Sequence, residues 1–125
     1  DLMRSVTIPC SVDFMAVSSY GNQTTTTGAV KINKDLSQDI ENRDVIIVED
    51  IVDTGESIEH MIGELKSHNP ASIEVCTLFF KPGSYRKQLP IKYRAMEIGN
   101  EFIVGYGLDY DQLGRSLKDI YVVTE

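Results

Sequence analysis

The chain has 125 residues, which is enough for one domain with a single hydrophobic core. Its formal net charge of -7 at pH 7 argues against binding to nucleic acid or to an anionic membrane surface. Cys10, Cys76, His60 and His68 match no metal-ligand spacing, and neither histidine has a carboxylate or cysteine partner at such a spacing. We therefore expect two reduced, mostly packed thiols, no catalytic histidine and a cytoplasmic protein. No apolar run reaches transmembrane length.

The first third of the chain predicts two strands joined by a long polar segment. Residues 1–4 look like the last turn of a helix. Residues 12–17 form the first predicted strand, and the alternating residues 29–33 should pair antiparallel with it. Residues 18–28 between them, with four consecutive threonines, are too polar to hold a core. This segment is either a long hairpin loop or a lid that excludes water from a nearby ligand site.

The middle of the chain carries the most informative pattern. Residues 45–48 are apolar and β-branched, which predicts a central parallel strand buried on both faces. Apolar residues at helical spacing then predict a helix over residues 57–67. Glu49, Asp50 and Asp53 would therefore lie at the carboxyl edge of the sheet, where open α/β folds bind their ligands.

The predicted turn between this strand and helix has the composition of a phosphate site. Asp53, Thr54 and Gly55 open the helix, whose free N–H groups and positive dipole end attract a phosphate. Glycine lets the backbone approach the phosphate closely. Together with carboxylates for sugar hydroxyls, the turn fits a phosphorylated ribose. The alternative is that Asp53 and Thr54 only cap the helix and that Glu49 and Asp50 are solvated charges.

Three further strands are predicted in the second half of the chain. Residues 73–80 form the second strand of a right-handed βαβ unit, which ends at Lys81. Residues 93–98 form another strand, and residues 120–123 close the sheet. Gly63, inside the predicted helix, suggests close packing of that helix on the sheet.

A glycine-punctuated aromatic segment near the end of the chain offers a second set of ligand-binding groups. Phe102 could stack on a flat heterocycle, Asp109 could reach a hydrated Mg²⁺, and Arg115 could pair with a pyrophosphate. Packing alone is the alternative, because aromatic residues beside glycine are common in cores.

The apolar strand followed by Glu-Asp, two apolar residues and Asp-Thr-Gly-x-Ser resembles the phosphoribosyl diphosphate (PRPP) motif of type I phosphoribosyltransferases. With Lys81, the segment 102–110 and Arg115 in this order, the chain is similar to the hypoxanthine and hypoxanthine-guanine phosphoribosyltransferases over nearly its whole length. The resemblance implies an α/β fold with an open, mainly parallel twisted sheet flanked by helices and an antiparallel lid hairpin. It also implies one domain over residues 1–125 that is incomplete at its N-terminus.

The implied reaction is transfer of the 5-phosphoribosyl group from Mg²⁺-PRPP to a 6-oxopurine, hypoxanthine or guanine. The products would be a purine nucleoside monophosphate, IMP or GMP, and pyrophosphate, and the enzyme would be a cytoplasmic homo-oligomer (dimer or tetramer) of purine salvage. For the ribose phosphate, the resemblance places Glu49 and Asp50 at the ribose hydroxyls, Arg115 at pyrophosphate, and Asp53, Thr54, Gly55, Glu56 and Ser57 around the 5-phosphate. For the purine, it implies Asp53 as general base at N7, Lys81 at the 6-oxo group, Phe102 stacked on the base and Ile103 at its edge. It also places Asp109, with Glu49 and Asp50, near Mg²⁺, and Ser19 and Tyr20 in the lid.

Two departures from the family pattern keep a second function open. Family members carry an additional strand and a pyrophosphate-contacting loop before the first helix matched here, and Glu56 stands where relatives often have lysine. A non-catalytic nucleotide- or PRPP-binding regulatory domain of the same fold is therefore the alternative. A weaker third reading is a doubly wound domain without PRPP chemistry.

Overall fold

The computed structural model describes residues 1–19 and 30–124, with the backbone alone at residues 18, 19 and 30–34. The elements are, in chain order, α1 (Leu2–Ser5), β1 (Ala16–Ser19), β2 (Val30–Lys34), β3 (Asp44–Val52), α2 (Glu56–Lys66), β4 (Ser72–Phe80), β5 (Tyr93–Glu97), β6 (Ile103–Val104) and β7 (Tyr121–Val122). They fall into two compact units: unit one is Asp1–Val45 with Glu56–Ile73, and unit two is Ile46–Gly55 with Glu74–Glu125. Among the described helices, none has both the length and the apolar character needed to cross a membrane.

Unit one contains helix α2 and an antiparallel hairpin. Strand β1 pairs with β2, with a register irregularity between Ala16 and Val17, and α2 contacts both strands. The buried residues of α2 recur at helical spacing and give the helix one apolar face. They are Ile58, Met61, Ile62 and Leu65. The antiparallel pairing predicted for this part of the chain is confirmed.

Unit two contains the main sheet, in which parallel strands follow the order β3, β4, β5. Strand β4 lies in the middle and is the most deeply buried, because it has a neighbour on each side. Val75, Thr77, Phe79 and Phe80 are at most 4% exposed. The buried Thr77 hydroxyl donates a hydrogen bond to the Phe79 carbonyl at 2.8 Å, so its polar atom is satisfied. The α/β class predicted from the sequence is confirmed.

Strand β3 differs from its prediction in length and in burial. It extends to Val52, so Glu49 and Asp50 lie within the strand rather than after it. Ile46 and Val48 are each 58% exposed, so the prediction of burial on both faces is wrong. Alternate side chains point to opposite faces, and in the described structure the face that carries these two is largely exposed. The apolar composition therefore indicated a strand correctly but did not determine which of its faces is buried.

Several other predictions need smaller corrections. Residues 120–123 do not close the main sheet, because β7 pairs antiparallel with β6 in a separate two-stranded sheet. Strand β1 begins at Ala16 rather than at residue 12, and Phe14 before it is exposed. Apart from its chain neighbours and the backbone of its own helix, a methyl group at Gly63 would meet no atom of unit one within 4 Å, so this glycine does not mark close packing inside that unit.

Candidate active site

Two carboxylates lie near the end of β3 and differ in their surroundings. Glu49 is half-buried, whereas Asp50 is exposed and accepts a hydrogen bond from the Ile51 N–H at 2.7 Å. Burial, and secondarily the neighbouring charge of Asp50, raises the pKa of Glu49 to about 7. The Glu49 carboxyl therefore ionises at a higher pH than an exposed glutamate.

The turn after β3 depends on a glycine in the left-handed backbone region. Strand β3 ends at Val52, and α2 begins at Glu56. Gly55 is buried with a φ of 93°, a conformation that residues with a Cβ atom rarely adopt. Asp53 and Thr54 are both exposed at this turn.

Lys81 lies beside the turn. Its side chain is 13% exposed, and its Nζ lies 3.9 Å from Oδ2 of Asp53, whose side chain is 53% exposed. The Lys81 N–H donates to the Val52 carbonyl at 3.0 Å, which fixes the start of the segment after β4 to the end of β3. Asp53 and Lys81 are therefore close together, as expected for residues that follow neighbouring parallel strands.

The aromatic segment near the C-terminus forms a tight, glycine-rich hairpin. Phe102 is 55% exposed, and its ring packs edge-on against Tyr110 with centroids 5.6 Å apart. Ile103, in β6, is buried. Gly105 has a φ of 100°, and a Cβ atom there would lie 2.1 Å from the Asp119 carbonyl oxygen, so only glycine fits.

Asp109 and Arg115 are joined within the same segment. Oδ1 of Asp109 lies 3.3 Å from Nη2 of Arg115, and Oδ2 accepts a hydrogen bond from the Gln112 N–H at 2.9 Å. Arg115 Nη1 donates to the Gly107 carbonyl, also at 2.9 Å. The half-exposed guanidinium group therefore supports the loop that carries Asp109 while one side of it stays open to solvent.

The carboxylates predicted near Mg²⁺ do not form a preassembled cluster of three. In the described part of the chain, the set of three ligand atoms within 4.8 Å of one another comes from Asp35, Glu64 and His68 of unit one. Nε2 of His68 lies 3.7 Å from Glu64 and 3.9 Å from Asp35. The expectation that His68 has no carboxylate partner is therefore wrong, because Glu64 precedes it by one helical turn and Asp35 comes from a distant loop.

The remaining predicted residues lie elsewhere or outside the described part. Glu56 and Ser57 begin α2 in unit one. Ser19 ends β1, where the backbone alone is described, and Tyr20 lies outside the described residues. Cys10 and Cys76 are free thiols as expected, but Cys10 is exposed rather than packed.

Sequence reasoning missed the segment that packs on the Gly55 turn. A Cβ atom at Gly55 would lie 2.7 Å from the Tyr85 ring and 2.8 Å from Cγ of Lys87. The N–H of Arg86 donates to the Thr54 carbonyl at 3.1 Å. These residues stand in a polar stretch with proline and glycine, which predicts a loop but not its contacts.

Comparison with known proteins identifies the family. The phosphoribosyl transferase domain family matches residues 1–111. The chain belongs to this family. A hypoxanthine-guanine phosphoribosyltransferase of Mycobacterium bovis is 48% identical over 120 residues, which are 96% of this chain and 59% of that protein.

Two solved structures share the fold of this phosphoribosyltransferase domain. A hypoxanthine phosphoribosyltransferase of Staphylococcus aureus is 42% identical with a TM-score of 0.91, over 98% of this chain and 67% of that one. A hypoxanthine-guanine phosphoribosyltransferase of Bacillus anthracis is 40% identical with a TM-score of 0.92, over 98% of this chain and 72% of that one. The predicted type I phosphoribosyltransferase fold is thereby confirmed. The chain spans 59% of the mycobacterial relative's length.

Proposed function

We propose that this protein is a phosphoribosyltransferase of purine salvage. It would transfer the 5-phosphoribosyl group of PRPP to a 6-oxopurine, hypoxanthine or guanine, and release IMP or GMP with pyrophosphate. The observation that carries the proposal is the 3.9 Å separation between Oδ2 of Asp53 and Nζ of Lys81 beside the Gly55 turn. A proton acceptor and a cationic donor this close together can contact neighbouring atoms of one purine, N7 and the 6-oxo oxygen.

Each proposed residue has a chemical role in this reaction. The C1′–oxygen bond to pyrophosphate breaks as a bond from C1′ to the purine nitrogen forms, and positive charge develops on the ribose. Asp53 would accept the proton from N7, which makes the base a better nucleophile. Lys81 would donate to the 6-oxo oxygen, where negative charge accumulates. Phe102 would stack on the purine, with the Ile103 backbone at its edge.

The ribose phosphate would lie against the turn after β3. Glu49 and Asp50 would accept hydrogen bonds from the ribose hydroxyls, and the N–H groups from Asp53 to Ser57 would surround the 5-phosphate, with Thr54, Gly55 and Glu56 between them. The left-handed Gly55 supports this assignment, since its positive φ permits the tight turn that places these N–H groups at the start of α2. Arg115 would pair with pyrophosphate through the exposed side of its guanidinium group.

Magnesium is the proposed metal. The residues present fit a Mg²⁺ ion that keeps several waters and is held by substrate phosphates together with one or two carboxylates. Asp109 is the first candidate ligand, because it is half-buried and held in place by a hydrogen bond and an ion pair. Glu49 and Asp50 are the other candidates. The ion would neutralise charge on the departing pyrophosphate.

The setting proposed for the enzyme follows from the same family. We propose a cytoplasmic homo-oligomer, a dimer or tetramer, whose single domain over residues 1–125 has a lid that includes Ser19 and Tyr20. Its partners would be PRPP, the purine base, the nucleoside monophosphate and pyrophosphate, without a nucleic acid or a membrane. Sedimentation velocity of the purified protein measures the oligomeric state, and a monomer at all concentrations would contradict that part.

Asp53→Asn tests the catalytic role. Asparagine keeps the shape of the side chain, and Asp53 is largely exposed, so stability should barely change. General-base catalysis contributes about 100- to 10,000-fold, so turnover of hypoxanthine with Mg²⁺-PRPP should fall within that range. Absorbance follows product formation, and calorimetry on the same samples should show nearly unchanged affinity for IMP.

Asp39→Asn is the matched control, because Asp39 is an exposed aspartate in a loop that carries none of the proposed site residues. Its turnover should equal that of the parent. An Asp53→Asn variant as active as the parent would exclude Asp53 as general base. A parent that binds IMP tightly but never turns over would replace the proposal with the regulatory alternative.

A further inference from the structure

The segment after β4, residues 81–89, is tied to the proposed phosphate turn at two points. The Lys81 N–H donates to the Val52 carbonyl at 3.0 Å, and the Arg86 N–H donates to the Thr54 carbonyl at 3.1 Å. These two backbone hydrogen bonds lie on either side of Asp53 in the chain. The end of β3 and the turn that follows it are thus held by one neighbouring segment.

The side chain of Tyr85 occupies the space beside Gly55. An added Cβ at Gly55 would lie 2.7 Å and 3.2 Å from two carbons of the Tyr85 ring, well inside van der Waals contact. Gly55 is buried and has a positive φ. Glycine adopts positive and negative φ about equally well, so the local sequence alone does not fix this conformation. The ring therefore limits the movement of the turn on the side where glycine leaves room.

Tyr85 can serve as a support because it is itself held from several directions. Its hydroxyl donates to the Leu89 carbonyl at 2.6 Å, and its N–H donates to the Lys81 carbonyl at 3.1 Å. Its ring packs edge-on against the buried Phe80, with centroids 5.1 Å apart. Phe80 in turn belongs to the core of the main sheet, so the turn is linked through Tyr85 to the close-packed interior of unit two.

We infer that Tyr85 is a positioning residue that fixes the turn at residues 53–55 and thereby sets the affinity for the ribose phosphate of PRPP. This inference rests on the proposed function. Tyr85 acts on the substrate through the turn, since the atoms of its ring face Gly55. Its loss should therefore impair PRPP binding more than binding of the purine.

The experiment compares Tyr85→Ala with Tyr85→Phe. Removing the ring should raise the KM for PRPP by about 10- to 100-fold, the cost of a misplaced binding group, while the KM for hypoxanthine changes by less than about threefold. Phenylalanine keeps the ring and should restore the KM for PRPP to within about threefold of the parent. Tyr93→Ala, at a 45% exposed tyrosine on β5, is the matched control and should leave both values unchanged.

Amide hydrogen exchange tests the same inference without any catalytic activity. In Tyr85→Ala the Arg86 amide, which donates to Thr54, should exchange at least about tenfold faster than in Tyr93→Ala, because the local opening that exposes it becomes easier. Tyr85→Phe should retain the parent's protection. If Tyr85→Ala does not fold, Tyr85→Leu, which keeps apolar bulk, takes its place in both measurements.

The outcomes separate this inference from the proposed function. A parent without turnover would contradict the proposed function, whereas the exchange of the Arg86 amide would still report whether Tyr85 holds the turn. Unchanged exchange in the ring-removing variant would overturn the inference. Equal rises in the two KM values, or failure of phenylalanine to restore the KM for PRPP, would also overturn it, because either result indicates a general structural role.

Discussion

Replacing Glu49 by glutamine should stabilise the protein at pH 8 and have a smaller effect at pH 5. Burial and the charge of Asp50 raise the pKa of Glu49 to about 7 in the folded chain, whereas an ordinary glutamate has a pKa of 4.5. The folded state therefore binds more protons than the unfolded state between these two values. The contribution of Glu49 to stability is fully present below about pH 4.5 and is lost as the pH rises through 7, because ionised Glu49 is disfavoured in the fold.

The size of the effect follows from the difference between the two pKa values. At about 1.4 kcal/mol per pH unit, the full difference corresponds to roughly 3.4 kcal/mol. Glu49 is only half-buried, so solvent screening reduces this to about 1–2 kcal/mol at pH 8. At pH 5 the folded carboxyl is mostly protonated while the unfolded one is still mostly ionised, so by the same linkage the difference should shrink to roughly 0.5–1 kcal/mol.

Urea denaturation followed by circular dichroism at pH 5, 6, 7 and 8 measures the free energy of unfolding. Glu101→Gln, at an exposed position in the same unit, is the control and should change that free energy by less than about 0.5 kcal/mol. A stabilisation by Glu49→Gln that is equal at pH 5 and pH 8 would refute the reasoning. So would destabilisation at pH 8, because it would mean that the ionised carboxylate makes a favourable contact in the fold.

Two further predictions concern the purine and the backbone. Lys81→Ala should weaken binding of IMP by about 1.5–3 kcal/mol and leave binding of AMP nearly unchanged, since only IMP offers a 6-oxo acceptor. Equal losses for the two nucleotides in calorimetry would show that Lys81 does not recognise the base. Gly105→Ala should destabilise the fold by about 2–5 kcal/mol, because its Cβ would meet the Asp119 carbonyl at a positive φ. Gly63→Ala, on the exposed surface of α2, should stabilise the fold by about 0.5–1 kcal/mol. Thermal unfolding measures both variants, and similar effects of Gly105→Ala and Gly63→Ala would contradict the different surroundings described for the two glycines.

The elements were largely predictable because each carries a local pattern. The helical spacing of Ile58, Met61, Ile62 and Leu65 predicts α2 to within one residue at each end. The apolar run of β4 predicts a buried strand in the same way. Exposure was not predictable at Ile46 and Val48, because burial depends on what covers a face and not on the strand's own composition.

The predicted site residues differ in how far local sequence could place them. The contact between Asp53 and Lys81 follows from the rule that parallel strands end at one edge of a sheet. The support of Gly55 by Tyr85 does not, because it depends on how a loop folds back over the turn. The cluster around His68 was missed for a related reason, since one of its partners, Asp35, is far away in the sequence.

One short stretch of chain touches both halves of the proposed substrate site. Lys81 approaches Asp53, and Tyr85, four residues later, lies against Gly55 and donates its N–H to the Lys81 carbonyl. The second contact runs through the backbone carbonyl of Lys81 and not through its side chain. A change of base preference by substitution of the Lys81 side chain would therefore leave the support of the ribose-phosphate turn in place.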